Sequence, residues 1–185
     1  MTQLQLIQHL STFDTFKVIK FRSKLKEQSF TLNELVDLTY HSDFKIALKA
    51  SKILHYILYR FPANYINEVS YLIAKVDQVE YPGCKIYFAK ILAQLTSPEM
   101  QRDMRKKIKE IELDKVAELC FSWLRDPKML TSVRAAAAET LFNLRHRYPW
   151  IAEALSRDLE ALLPNASPLL ASKANFVLSF LHCED

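Results

Sequence analysis

The chain has 185 residues, half of them hydrophobic and a quarter charged, with a formal net charge of +4, as in an ordinary globular domain. Its single glycine, Gly83, against an average usage of about 7%, excludes P-loops and dinucleotide fingerprints, which need several glycines. Three widely spaced cysteines, Cys84, Cys120 and Cys183, suit reduced thiols rather than a disulfide framework; with no apolar run approaching ~18 residues and no basic leader, the expectation is a cytoplasmic protein without membrane span or signal peptide.

In chain order, the first predicted elements are a helix pair at about 3–10 and 14–27, where five basic and two acidic residues within 1–30 carry most of the positive excess. Lys17, Lys20 and Lys24 share one face there. Leu32–Tyr40 follows, with Leu35, Val36 and Leu38 apolar. The helix from Lys45 to Phe61 places Ile46, Ala50, Ile53, Leu54 and Ile57 on one face at helical spacing. Tyr65–Val76 offers Ile66, Val69, Leu72, Ile73 and Val76, and the next helix offers Cys84, Phe88, Ile91, Leu92 and Leu95. Ser97 is read as N-cap and Pro98 as N1 of a helix running to about Glu110, followed by Glu112–Arg125. Whether 97–125 is one kinked helix or two stays open at this level. Asp126-Pro127 signals a turn. Ser132–Tyr148 carries Val133, Ala137, Thr140, Leu141 and Leu144, and Pro149 suits the first turn of Ile151–Leu163. The last helix carries Leu170, Ala174, Val177, Leu178 and Leu181.

Four of these apolar frames are copies of one another. Residues 45–62 align without a gap on 132–149, even to the endings Arg60-Phe61-Pro62 and Arg147-Tyr148-Pro149. The frames begin at Ile46, Cys84, Val133 and Leu170, spaced by 38, 49 and 37 residues. Units of about 40 residues with two helices each mark HEAT and armadillo arrays. The segment Asp126-Pro127…Val133-Arg134-Ala135-Ala136-Ala137…Leu141…Leu144 resembles a HEAT repeat, with 126–163 the clearest unit and 31–182 following the pattern. The resemblance implies an all-α fold, an α-α superhelix (a HEAT/armadillo-like solenoid) of about four to five antiparallel helix pairs. It would form one domain over 1–185, with capping helices in 1–30, four pairs in 31–182 and an insert near 97–111. In that family a turn aspartate and a second-helix arginine often interact; Asp126 and Arg134 match, while Ala47, Lys85 and Ala171 replace the arginine elsewhere. The same pattern also fits a compact helical bundle, in which helices gather around one centre.

The resemblance further implies that second helices line a concave face. Beside the core positions a stripe runs down each one, with Gln94, Ala136, Glu139, Phe176 and Phe180 among its members and, as the positions singled out, Lys45, Lys49, Lys52, Tyr56 and Arg60, then Tyr87 and Lys90, then Asn143 and Arg147, then Lys173. These are the candidate partner-binding residues, a basic groove with interleaved aromatics suited to an acidic peptide, an acidic protein surface or a phosphate backbone. Helix lysines also serve simply as a solvated face. A second cluster, Arg102, Arg105, Lys106 and Lys109, is interspersed with Glu99, Asp103, Glu110 and Glu112, so surface pairing accounts for it.

Catalytic patterns are missing from the sequence: there is no H-E-x-x-H, no zinc spacing and no G-x-S-x-G, so no metal and no cofactor is expected. His41 with Asp43 and His182 with Cys183 are the nearest approach to ligand pairs, and a Cys–His dyad of distant residues stays open. The leading expectation is a non-enzymatic protein-binding scaffold. The alternative is a nucleic-acid-binding HEAT-like protein, such as a relative of the alkylpurine DNA glycosylases, which use concave tryptophans; here Trp123 reads as core and Trp150 as a partly exposed anchor. A third is a structural subunit that dimerises or stacks end to end.

Overall fold

The computed structural model describes residues 31–183, and every regular element there is helical. The expected helices at 3–10 and 14–27, with Lys17, Lys20 and Lys24, lie outside the described residues. The chain divides into two compact units at Phe88/Ala89, within a continuous helix.

The described part of the first unit begins with a reciprocal cap. Thr31 Oγ1 accepts from the Glu34 amide at 3.3 Å, and the Thr31 amide donates to Glu34 Oε2 at 2.7 Å. This starts α1 (Leu32–Leu38). Asp43 Oδ1 accepts from the Lys45 amide at 2.8 Å and starts α2 (Phe44–Arg60), which packs against α1. The expected helix over 65–76 is reduced to α3 (Val69–Lys75), flanked by 3-10 turns at Pro62–Tyr65 and Val76–Gln78. Pro62 fixes the backbone at the start, and Asn64 and Asn67 are poor helix formers, so the α-helix begins only at the apolar run from Val69. α3 is tied to α1 by Asp37, which accepts from Tyr71 and from Lys75, each at 2.6 Å. Tyr40 donates to the Lys75 carbonyl at 2.7 Å, satisfying an orphan acceptor at the end of α3. Burial pushes the Tyr40 phenol well above its ordinary range.

α4 (Pro82–Thr96) starts with proline in its first turn. Gly83 follows because space is short there: a Cβ would lie 3.1 Å from Leu48 Cδ1 and 3.4 Å from the Phe44 ring. The lone glycine thus serves close approach of α4 to α2. Tyr81 clamps the same corner, with its hydroxyl donating to the Ser42 carbonyl at 2.6 Å and its ring edge-on to Phe44.

In the second unit the stretch 97–125 resolves into two helices, α5 (Arg102–Glu110) and α6 (Asp114–Arg125), separated by extended backbone at Ile111. Ser97 does not cap a helix as expected. Its hydroxyl accepts from the Glu99 amide at 3.2 Å in a turn, and α5 begins at Arg102. Buried Met100, Met104 and Ile108 anchor the turn and α5 against the core.

α7 (Thr131–Leu144) packs against α6, against α8 (Trp150–Leu162) and against α9 (Pro168–Leu181), and α8 packs on α9. Two helix pairs are therefore present, with their second helices in contact. Arg134 reaches the α6/α7 turn, but its Nε donates to the Leu124 carbonyl at 2.9 Å rather than meeting Asp126. Leu124 lies in the last turn of α6, whose carbonyls lack helical partners, so the guanidinium serves as a C-terminal cap. Asp126 accepts from the Lys128 amide at 2.8 Å instead.

Every position of the four apolar frames is buried, none more than 8% exposed. Ala50, Ala137 and Ala174 are fully covered, which lets helix surfaces come close. Each frame residue removed from water contributes on the order of 25 cal/mol per Å² of apolar area buried.

Candidate functional site

The basic stripe of α2 belongs to the first unit. Lys45 and Arg60 are exposed, and Lys49, Lys52 and Tyr56 are half-exposed. The side chains of Lys45, Lys52 and Arg60 make no hydrogen bond or ion pair among the described residues. Next to them on the same helix, Tyr59 is 62% exposed and lies 6.3 Å from the His55 ring, which in turn meets Tyr87 at 5.9 Å. Tyr87 is therefore part of an aromatic cluster on that face, half-exposed rather than fully free. Lys90, three residues along α4, is exposed.

The candidates of the second unit are held in structural roles. Asn143 donates through Nδ2 to the Ala93 carbonyl at 3.1 Å and to Thr96 Oγ1 at 3.3 Å, tying α7 to the end of α4. Arg147 donates to the carbonyls of Ile108 and Ile111 at 3.0 and 2.8 Å, and so caps α5. Its neighbour Tyr148 accepts from the Leu113 amide at 3.0 Å, at the start of α6. Lys173 pairs with Glu139 at 2.8 Å. The pairing expected for Arg102, Arg105, Lys106 and Lys109 is not seen among the described residues: Arg105 donates to the Pro98 carbonyl at 3.0 Å, and the ion pair on this helix joins Lys107, outside that set, to Glu110 at 3.3 Å.

A feature that stripe counting missed is a cleft of about 540 Å³ in the second unit, bounded by the end of α4, α5, the end of α7 and Phe180 of α9. Leu144, Phe142 and Phe180 form apolar walls, and Arg105, Lys109 and Arg147 bring positive charge; no aspartate or glutamate among the described residues lines it. The Arg145 guanidinium lies 3.8 Å from the centre of the Phe142 ring. Phe176 and Phe180, 53% and 46% exposed, continue the aromatic surface along α9. The signal was present in sequence as the Phe176/Phe180 spacing and the basic α5. What joins them is the turn at 97–101, which carries no periodic pattern.

Three residues suggest hydrolase chemistry but lack its geometry. Ser156 Oγ and Glu160 Oε1 lie 3.4 and 3.2 Å from His182, both at the same nitrogen, Nε2. A nucleophile–base–carboxylate relay uses the two ring nitrogens separately. Cys84 and Cys120 are buried free thiols, and desolvation raises both, Cys120 to about 12. Neither provides a thiolate for a Cys–His dyad at neutral pH. His41 Nδ1 accepts from the Asp43 amide at 2.9 Å, so that pair forms a turn. Trp123 is buried, whereas Trp150 is 48% exposed beside Phe121, as the sequence indicated. No described helix is long and apolar enough to cross a membrane. Comparison with known proteins returns no match: no family model, curated protein or solved structure aligns with the chain.

Proposed function

We propose that this chain is a non-enzymatic, HEAT/armadillo-like helical-repeat scaffold that binds an acidic segment of another protein on the basic face of α2. The observation that carries the reading is the set Lys45, Lys52 and Arg60, whose charges are neutralised by nothing among the described residues, on one stripe with Tyr56 and beside exposed Tyr59. Cations left unpaired along a rigid helix attract carboxylates and steer their approach. The solenoid part of the reading draws support from the repeated apolar frame and from the contact of second helices α7 and α9. The buried reduced thiols fit a cytoplasmic setting.

Nucleic acid is the second reading, because aromatic rings interleaved with cations also suit single strands. Burial of Trp123 removes one stacking platform from it. Fluorescence anisotropy with a labelled polyglutamate peptide and an oligothymidylate of equal length separates the two. The proposal predicts saturable polyglutamate binding, reduced by roughly tenfold or more in a Lys45→Glu/Lys52→Glu/Arg60→Glu variant that unfolds like the parent. Tighter oligothymidylate binding, falling with salt at a log–log slope of about −0.7 per phosphate contacted, would instead favour nucleic acid.

A further inference from the structure

The cleft of the second unit holds its cations in an unusual way. Arg147 spends two of its N–H groups on neutral carbonyls, Ile108 and Ile111, and Arg105 spends one on Pro98. A guanidinium has five such donors, so each retains its full charge and unused N–H groups at a fixed place. Lys109 adds an ammonium with no hydrogen-bond or ion-pair partner among the described residues. Backbone carbonyls thus position the two guanidinium charges without cancelling them, and among the described residues no lining carboxylate opposes them or Lys109. Beside these donors stand Phe142, Leu144 and Phe180. An occupant must therefore be anionic and apolar within a few ångströms.

We infer that this cleft is a second binding site, separate from the α2 face, for an acidic peptide segment of a partner protein that carries a phenylalanine or leucine among its carboxylates. Carboxylates meet Lys109 and the free edges of Arg105 and Arg147, and the apolar side chain lies against Leu144 and Phe180. A peptide is favoured over a compact small molecule because the aromatic surface does not end at the cleft. Phe176 extends it one turn along α9, 5.0 Å from Phe180, where successive residues of a chain continue the contact. Bare polyanions satisfy the cations but leave the phenylalanines in water.

Two labelled pools of short random peptides test this, one built from Asp, Glu, Leu and Phe and the other from Asp, Glu and Ser. The first pool binds at least tenfold more tightly than the second. Lys109→Glu and Phe180→Ser each weaken the first pool by roughly tenfold, and both sites are exposed enough for the variants to keep the parent's unfolding midpoint. In a Lys45→Glu/Lys52→Glu background, which removes binding at the α2 face, the first pool still binds and Lys109→Glu or Phe180→Ser still weakens it by roughly tenfold, so the α2 reading can fail while this one stands. Equal binding of the two pools, insensitivity to Phe180→Ser, or a tighter oligothymidylate complex that ignores Phe180→Ser would each overturn the inference.

Discussion

Arg60 and Arg147 occupy the same place in a frame repeated 87 residues apart, each followed by an aromatic residue and proline. Arg60 ends α2 exposed, while Arg147 is folded onto two carbonyls of a neighbouring helix end. The next positions back diverge likewise: Tyr56 against Asn143, which is hydrogen-bonded to α4, and Lys52 against Glu139, which is paired with Lys173. At Arg147 the inserted helix α5 makes the difference. Its C-terminal carbonyls need donors, and the second unit recruits Arg147 to supply them. Equivalent apolar positions share a fate, whereas equivalent polar positions take whatever role nearby groups impose.

The largest effect tests the shared part. Leu54→Ala and Leu141→Ala, both fully buried, each lower stability by about 2–5 kcal/mol in urea unfolding, and a marked inequality would show that the two frames are not equivalent cores. The polar divergence comes next. Arg147→Ala removes two charge-assisted bonds and is expected to cost about 2 kcal/mol, whereas Arg60→Ala stays within about 0.5 kcal/mol. Similar values for both would erase the distinction between a cap and a free cation.

A pH test distinguishes the two buried thiols. Cys120 rises from an ordinary 9.0 to about 12 on folding because burial penalises the thiolate. Above pH 9 the folded state then holds a proton that the unfolded state has lost. Stability falls as pH rises, by up to about 1.4 kcal/mol per unit toward pH 12, and is fully present below pH 9. Cys120→Ala should flatten that alkaline limb, and more than Cys84→Ala does, in urea midpoints measured between pH 8 and 11. The smallest effect is at Lys173–Glu139, both partly exposed. Lys173→Ala costs about 0.5 kcal/mol at low salt and less at high salt, while Lys52→Ala is neutral at either.

Burial was the legible part of this protein. The periods of Ile46, Cys84, Val133 and Leu170 reported faces that the structure buries, because an apolar stripe has one place to go. The Trp123 and Trp150 environments followed from their local context in the same way. Helix starts were less legible. Ser97-Pro98 has the residues of an N-cap and N1, but buried Met100 holds the segment as a turn and delays α5 to Arg102. The 65–76 helix shrank because Pro62 and the asparagines compete locally with an apolar pattern that alone would suffice. Least legible were the polar candidates. Whether Arg147 or Lys173 is free depends on which carbonyl or carboxylate lies a few ångströms away, and residues 34–39 positions apart in the chain decide that.

Amine-acylation footprinting of the lysines, read by mass spectrometry with and without polyglutamate, addresses the α2 face most directly. Lys45 and Lys52 should label fast in the free protein and become protected by the peptide, while Lys173, already engaged by Glu139, labels slowly and does not change. Uniform labelling that polyglutamate leaves untouched, or protection at Lys173 without protection at Lys45 and Lys52, would contradict the assignment of α2 as the face that meets an acidic partner.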